Sequence, residues 1–266
     1  MLLTWQLILL KILMHKKIIP KKKLGQNFLI DPIIIGKIFD SLCIEEKDNI
    51  LEIGPGEGAL SFQLNQMSKE YIGIEKDGEL VKYLEGKNKE IKIIHQDILK
   101  TNLSEFFDSK YRVIGNLPYN ISTLIVEKII EYRSKFIDIH LMLQKEFADR
   151  MLARPKQKSY GRLSVYTQLF FDIHNLFDIN KESFIPKPKI TSSFIKLIPK
   201  DNTLIMNEDI KEFTDFVKII FNNRRKKIIN NLNIPSHTDL INVNKRAEEL
   251  EISEMLELYY NIKKHG

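Results

Sequence analysis

The fold is decided by the stretch LEIGPGEG, which covers Leu51 to Gly58. Its first three residues end the mainly apolar run Asn49–Ile53, and the turn that follows opens a helical pattern. Its glycines stand where a backbone must turn tightly and come close to a ligand. A strand, a glycine-rich turn and a helix in this order are typical of a nucleotide-binding α/β unit. The stretch therefore predicts a nucleotide-like ligand at the turn.

Strands and helices alternate on both sides of this turn. After residue 170, extended segments around Pro186 and Pro188 precede the weakly alternating Thr191–Ile198, so we expect an antiparallel hairpin at the sheet edge. The alternation predicts βαβ crossovers, a mostly parallel sheet and an α/β fold class with a Rossmann-like sheet. The strands predicted before residue 150 are Asn49–Ile53, Tyr71–Glu75, Ile91–His95, Tyr111–Ile114 and Ile137–Leu143.

The pattern changes again near residue 200. From Asn207 onward, apolar residues such as Ile210, Phe213 and Val217 follow the spacing of a helix, and a second helical stretch covers Lys245–Ile262. We therefore predict an apolar and basic extension at residues 1–23, an α/β domain at 24–200 and a small helical domain at 201–266.

The chain begins with thirteen mostly apolar residues, MLLTWQLILLKIL. A membrane span needs about 20 apolar residues, and Lys11 interrupts this shorter run. A secretory signal carries positive charge before its apolar run, whereas here the lysines follow it. We expect neither a membrane anchor nor a secretory signal, and the sequence leaves open whether Met1 or Met14 is the initiator.

Two acids follow neighbouring strands of the predicted sheet. Glu75 ends the second strand, 75 − 54 = 21 positions after Gly54, where a carboxylate can accept hydrogen bonds from ribose hydroxyls. Asp97 follows the third strand. Because the carboxyl ends of parallel strands meet at one edge, we expect the glycine turn and both acids to form one site.

Two classes of cofactor fit such a site. A dinucleotide needs its pyrophosphate at the helix N-terminus, whereas S-adenosylmethionine has no phosphate. Glu57 lies just inside the helix and would repel a phosphate. The acids of the predicted site, Glu52 among them, suit a ligand that carries a sulfonium and an ammonium group. The residues favour S-adenosylmethionine and leave a nicotinamide dinucleotide as the alternative.

The fourth predicted strand runs into the loop Asn116-Leu117-Pro118-Tyr119. Methyl transfer to an exocyclic amine of a base needs acceptors that orient the amine, because its lone pair is conjugated with the ring. Asn116 can supply a side-chain oxygen, and the Leu117 carbonyl can supply a second acceptor if Pro118 holds the turn. Tyr119 can stack on an extruded base. The loop therefore predicts methyl transfer to a base amine.

The charge of the chain points to a polyanionic partner. Its net charge is +6, and basic residues cluster at Lys11–Lys23, Lys145–Arg162 and Arg224–Lys227. A solvated surface explains each single cluster equally well. We select Arg154, Arg162, Arg224 and Arg225 as candidate contacts to this partner, which the family resemblance described below implies to be RNA. The single cysteine and the lack of Cys/His spacing for zinc predict no metal site.

The motifs of the chain resemble those of the KsgA-like ribosomal RNA adenine dimethyltransferases. The resemblance covers nearly the whole chain from Lys21 onward, with Lys187 replacing a proline that is common in the family. The motifs that carry it are LGQNFL (24–29), EIGPG (52–56), GNLPYNIST (115–123), LQKE (143–146), YGRLSV (160–165), FIPKPK (184–189) and FNNRRK (221–226).

This resemblance implies a class I methyltransferase fold, S-adenosylmethionine as cofactor and a role for each motif. Asn27 and Leu29 are expected at the outer edge of the cofactor, with Gly54 and Gly56 against its methionine portion. Glu75 is expected to bind the ribose and Asp97 the adenine amine, while Asn116 serves both cofactor and target.

The implied substrate is a pair of adjacent adenines in a hairpin near the 3′ end of small-subunit ribosomal RNA, within an immature 30S subunit. The alternatives are a macrolide-resistance methyltransferase of large-subunit (23S) RNA and a non-catalytic assembly factor. The YGRLSV and FIPKPK segments favour the small-subunit family. We expect a monomer in a bacterial cytoplasm.

Overall fold

The computed structural model describes residues 19–201, 204–233 and 242–265. Its strands are β1 (Phe28–Leu29), β2 (Asn49–Ile53), β3 (Glu70–Glu75), β4 (Ile93–His95), β5 (Tyr111–Asn116), β6 (Phe136–Gln144), β7 (Phe171–Ile179), β8 (Phe184–Ile185) and β9 (Ser192–Pro199). Its α-helices are Pro32–Leu42, Ser61–Met67, Gly78–Lys87, Ser122–Glu131, Lys145–Leu152, Arg162–Phe170, Ile210–Ile220, Ile228–Leu232 and Ile252–His265.

A seven-stranded sheet has the order β4-β3-β2-β5-β6-β9-β7. The four strand pairs from β4 to β6 are parallel, with Ile53 beside Ile74 of β3 and beside Gly115 of β5. Every residue of β2 is buried, as expected for a central strand with both faces covered. The predicted α/β class and the five predicted strands are confirmed. The parallel strands bring the ends of β2, β3, β4 and β5 to one edge.

The edge after β6 differs from the prediction in one respect. The strand beside β9 is β7, which we did not predict, and the segment before Pro186 pairs elsewhere. There, β8 lies antiparallel to β1, with Leu29 opposite Phe184. The reason is burial: Phe184 is buried in the core that contains Leu29. In β7 the alternation of polar and apolar residues breaks at His174-Asn175, and most of its residues are only partly buried or exposed, so it carries little strand signal.

Contacts divide the chain into two compact units. The first runs up to Lys145 and includes Leu176–Lys196, and the second comprises Glu146–Asn175 and the residues from Leu197 onward. The domain boundary predicted at residue 200 stays a prediction. Within the second unit, residues 146–175 bond to the C-terminal segment: the Tyr160 hydroxyl donates to the Leu250 carbonyl (3.1 Å).

Most of the predicted N-terminal extension lies outside the described residues, which begin at Ile19. Within the second unit, the predicted helical periodicity is realised in Ile210–Ile220, which buries Phe213, Phe216 and Val217. None of the helices in the described ranges is long and apolar enough to cross a membrane.

Candidate cofactor and active site

One cavity lies at the carboxyl ends of the parallel strands in the first unit. It is lined by the glycine turn, by the ends of β2, β3 and β5, and by residues 23–29. All seven residues predicted to bind the cofactor line it: Asn27, Leu29, Gly54, Gly56, Glu75, Asp97 and Asn116. Leu117 and Pro118 line it as well.

The glycine turn needs glycine for two separate reasons. Gly54 and Gly56 have φ of 71° and 61°, a backbone region that side chains other than glycine rarely adopt. A Cβ at Gly56 would also stand 3.2 Å from Cδ1 of Phe28. At Gly54 the nearest atom to an added Cβ is the Asn116 carbonyl oxygen, 3.9 Å away, so the backbone itself can face a ligand.

Glu75 is held by backbone groups at the end of β3. Its two carboxylate oxygens accept from the Gly56 N–H (3.1 Å) and the Asp77 N–H (2.8 Å). Burial raises the pKa of Glu75, and these backbone bonds counter the rise. Each oxygen keeps a lone pair for a further donor, so Glu75 can accept hydrogen bonds from a ribose.

Asp97 lies after β4 and is bonded on both oxygens. It accepts from Lys76 Nζ (2.8 Å) and from the Leu99 N–H (3.1 Å). Partial burial acts to raise the pKa of Asp97, but the hydrogen bond from Lys76 holds it below its usual range. The side chain is therefore an ionised acceptor at neutral pH, able to receive a further N–H.

Asn116 ends β5 beside the glycine turn. Its Nδ2 donates to the Asn27 carbonyl oxygen at 2.8 Å, so Oδ1 is the atom that this side chain can offer as an acceptor. The Leu117 N–H donates to the Met142 carbonyl (3.1 Å), which fixes the loop to β6. The Pro118 carbonyl accepts from Ser122 Oγ (3.1 Å) at the start of the next helix.

Tyr119 occupies a different position from its neighbours in the loop. It is half-buried and is not among the described residues that line the cavity. Its hydroxyl forms a hydrogen bond with Ser192 Oγ of β9 at 2.7 Å. Burial raises the pKa of Tyr119, so the hydroxyl stays neutral.

Glu52 forms the buried floor of the cavity. It accepts a hydrogen bond from the Tyr71 hydroxyl, and burial raises the pKa of Glu52 to about 7. The sequence marks it as an acid beside the turn, but its burial and its partner on β3 depend on strand register. Glu52 lies opposite Gly73 and not opposite Tyr71 along the strands, so no local pattern predicts this bond.

The charged residues that line the cavity indicate which class of ligand it can bind. Its lining includes four acids, Glu52, Glu57, Glu75 and Asp97, and two lysines, Lys23 and Lys76, of which Lys76 is paired with Asp97. An excess of acids disfavours a pyrophosphate and suits a ligand with a sulfonium and an ammonium group. The donor set therefore fits S-adenosylmethionine better than a dinucleotide.

The candidate RNA contacts lie in the second unit. Arg154, Arg162 and Arg225 are exposed. Arg224 differs, because its guanidinium donates to the Glu248 carboxylate, to the Lys158 carbonyl (2.5 Å) and to the Gln157 carbonyl. Its donors are engaged within the unit, and the sequence carries no signal of this.

Known proteins are similar to this chain over nearly its whole length. The model of the family described as ribosomal RNA adenine dimethylase matches residues 19–264. The ribosomal RNA small subunit methyltransferase A of Wigglesworthia glossinidia brevipalpis is 42% identical, covering 94% of this chain and 98% of the relative. That of Chlorobium phaeobacteroides is 37% identical, covering 94% and 96%.

Two solved structures show the same fold. A dimethyladenosine transferase from Plasmodium falciparum has a TM-score of 0.78 and 28% identity, covering 89% of this chain and 98% of its own. The 23S rRNA methyltransferase ErmE has a TM-score of 0.69 at 21% identity, covering 89% and 99%, which shows similarity of fold alone. By sequence and fold, this chain belongs to the ribosomal RNA adenine dimethylase family, whose members are S-adenosylmethionine-dependent methyltransferases.

Proposed function

We propose that this chain transfers methyl groups from S-adenosylmethionine to the exocyclic amine of adenine in small-subunit ribosomal RNA, giving dimethyladenosine. The target is a pair of adjacent adenines in a hairpin near the 3′ end, presented by an immature 30S subunit. Relatives at 36–42% identity carry the small-subunit name. The observation that supports methyl transfer best is Asn116, whose side chain is fixed at the cavity by the Asn27 carbonyl.

The cofactor supplies an electrophilic methyl group when bound. Glu75 would hold the ribose hydroxyls and Asp97 the adenine amine, because both are acceptors held at the cavity by hydrogen bonds. Gly54 and Gly56 would face the methionine portion, where the lack of a Cβ lets the backbone approach. Asn27 and Leu29 would close the outer edge.

Asn116 and Leu117 orient the target amine. Asn116 Oδ1 and the Leu117 carbonyl oxygen accept its two N–H groups, which turns the nitrogen lone pair towards the methyl group. The nitrogen loses its proton after attack, so no strong base is needed. Pro118 keeps the loop in place, and its carbonyl is tied to Ser122.

Tyr119 stacks on the extruded adenine. Its hydroxyl is anchored on Ser192, so the ring is held at its polar tip. Stacking on an aromatic ring contributes about 1–3 kcal/mol per base. Arg154, Arg162 and Arg225 supply phosphate contacts, which give affinity without sequence specificity.

Two alternatives make different predictions. A 23S methyltransferase would modify large-subunit RNA, and its support here is similarity of fold to ErmE. A non-catalytic assembly factor would bind RNA without methyl transfer, and it would not need the fixed Asn116 or the acceptors at Glu75 and Asp97.

We propose that the protein acts as a monomer in the cytoplasm, which size-exclusion chromatography and cell fractionation can test.

The deciding experiment is transfer of labelled methyl from S-adenosylmethionine to immature small subunits, with large subunits and free RNA in parallel. Nucleoside analysis should find dimethyladenosine from small subunits only, and Asn116→Ala should abolish it while RNA binding persists. Label confined to large-subunit RNA would establish the 23S alternative. Absence of label from every substrate would favour the assembly factor.

A further inference from the structure

One wall of the cavity is a segment that has little secondary structure of its own. Lys23 to Leu29 all line the cavity, yet β1 contains only the last two of these residues, and a short 3₁₀ turn covers Lys22–Leu24. An irregular segment has few backbone bonds of its own, so its position depends on its contacts with the rest of the domain. The bonds that hold this wall therefore influence what the cavity can bind.

At its N-terminal end the wall is held by Asp77. The Asp77 carboxylate accepts from Lys21 Nζ at 2.6 Å and from Gln26 Nε2 at 3.0 Å. Gln26 Oε1 in turn accepts from the Lys21 backbone N–H at 2.7 Å, so the three residues form a closed ring of bonds. The Asp77 side chain is 2% exposed, so water does not replace these bonds easily.

Asp77 also holds a second part of the cavity lining, Glu75. Its backbone N–H donates to Glu75 Oε1 at 2.8 Å, while the other oxygen of Glu75 is bonded to Gly56. One residue therefore connects the irregular wall to the acid that faces the ribose. Burial acts to raise the pKa of Asp77, but the bonds from Lys21 and Gln26 hold it below its usual range, so the carboxylate is charged at neutral pH.

We propose that Asp77, which is not among the described residues that line the cavity, is a positioning residue for the cofactor site. It sets the distance between the Lys23–Leu29 wall and Glu75, and cofactor affinity depends on Asp77 although Asp77 does not contact the cofactor. This inference rests on the proposed function in one respect, namely that the cavity binds S-adenosylmethionine.

A purely local role for Asp77 predicts something different. Asp77 caps the helix Gly78–Lys87 by accepting from the Glu79 N–H at 3.1 Å. Asparagine is an equally good N-cap, so Asp77→Asn preserves the helix. Its amide, however, would place N–H donors against the Gln26 donors and would remove the charge that binds Lys21. The variant thus separates capping from wall positioning.

The test is calorimetric binding of S-adenosylhomocysteine, the cofactor product, to the full chain. We expect Asp77→Asn to weaken binding about tenfold, which is about 1.4 kcal/mol, and Lys21→Ala to weaken it about threefold. Glu79→Gln is the matched control: Glu79 also contacts Lys21 (3.1 Å) but is 69% exposed, so binding should stay within about twofold of wild type.

A second readout needs no ligand. Hydrogen exchange of the backbone amides at residues 22–29 should be faster in Asp77→Asn and Lys21→Ala than in wild type and Glu79→Gln. If hydrogen exchange and binding in Asp77→Asn and Lys21→Ala are the same as in wild type, the proposal is wrong. If Asp77→Asn does not fold, Lys21→Ala alone decides. No binding of S-adenosylhomocysteine to wild type would instead count against the proposed cofactor.

Discussion

The Asn116 side-chain amide donates to the backbone carbonyl of Asn27, 89 positions earlier in the chain, across 2.8 Å. This bond joins the loop after β5 to the wall formed by residues 23–29. It uses the nitrogen of the amide, so it determines which atom of Asn116 is left for the reaction. The loop and the wall are therefore coupled through one side chain.

Asn116→Asp tests this coupling. Aspartate keeps an oxygen acceptor but loses the N–H donor and places a carboxylate oxygen against the Asn27 carbonyl. We expect kcat/KM to fall at least about 100-fold, since small misplacements of catalytic groups cost that much. Methyl-transfer kinetics provide the measurement. Asn88→Asp, on a surface turn, is the control, and equal activity of the two variants would contradict the coupling.

Tyr119 and Ser192 form the second testable pair. Tyr119→Ala removes the stacking ring and should lower kcat/KM for RNA about 10- to 100-fold, with unchanged cofactor binding. Tyr119→Phe and Ser192→Ala each remove one hydrogen bond and should cost a few-fold. In a double-mutant cycle their effects should not add.

The control for that pair is Ser193→Ala. Ser193 is equally buried, but its hydroxyl donates to Asp178 Oδ1 at 2.7 Å and does not contact Tyr119. Ser193→Ala should therefore leave kcat/KM for RNA unchanged. Additive effects of Tyr119→Phe and Ser192→Ala would show that the hydroxyl pair does not position the ring.

Glu52 should make stability depend on pH. Its pKa is about 7 in the folded protein, so the folded state binds a proton more tightly than the unfolded state, and stability falls as pH rises from 4.5 to 7. This difference in pKa between the folded and unfolded states corresponds to about 3 kcal/mol of free energy of unfolding. We therefore expect the free energy of unfolding of Glu52→Gln, relative to that of wild type, to rise by about 3 kcal/mol between pH 4.5 and pH 8. Urea unfolding without cofactor measures this difference. A pH-independent difference would rule this out.

Arg112 holds a buried ionic cluster. Its guanidinium bonds both oxygens of Asp138 at 2.9 Å, with Asp48 and the Leu42 carbonyl as further acceptors. Asp138→Asn leaves a buried charge without its full partner and should lower the free energy of unfolding by about 3–5 kcal/mol. Denaturant unfolding measures this.

An exposed ion pair provides the control for the Arg112 cluster. Glu45→Gln breaks the surface pair with Lys47 and should leave the free energy of unfolding almost unchanged, because both side chains are exposed. Burial acts to raise the pKa of Asp138, but the Arg112 hydrogen bonds lower it overall. The contribution of the cluster is therefore present above the usual aspartate pKa and is lost as pH falls through the lowered value. Equal costs for the two variants would contradict the role of burial.

We expect alanine variants of Arg224 and Arg225 to have different effects, one on stability and the other on RNA binding. Arg224→Ala removes the bonds to Glu248, Lys158 and Gln157, so we expect a lower melting temperature. Arg225→Ala should leave melting unchanged, weaken RNA binding and reduce the salt dependence of log K by about one unit per lost phosphate contact. Thermal melts and salt titrations measure both effects. If Arg225→Ala lowers the melting temperature and Arg224→Ala does not, the assignment of Arg224 to stability and of Arg225 to RNA binding is wrong.

Sequence reasoning predicted most of the first unit because its signals are local. The glycine turn, Glu75 at the end of β3 and the loop at Asn116 each depend on residues close together in the chain. Parallel strands then bring these ends to one edge without further information. β7 could not be predicted in this way, because its alternation breaks at His174-Asn175 and most of its residues are only partly buried or exposed.

The α/β class, the place of the cavity and nine of the residues that line it, Asn27, Leu29, Gly54, Gly56, Glu75, Asp97, Asn116, Leu117 and Pro118, could be predicted from the sequence. Only the tertiary structure decided the partner of each polar group: Asp77 for Lys21, Ser192 for Tyr119 and Glu248 for Arg224. It also decided that residues 146–175 belong with the C-terminal segment. The physical reason is that hydrogen bonds between residues far apart in the chain depend on strand register and packing, which leave no periodic trace in the sequence.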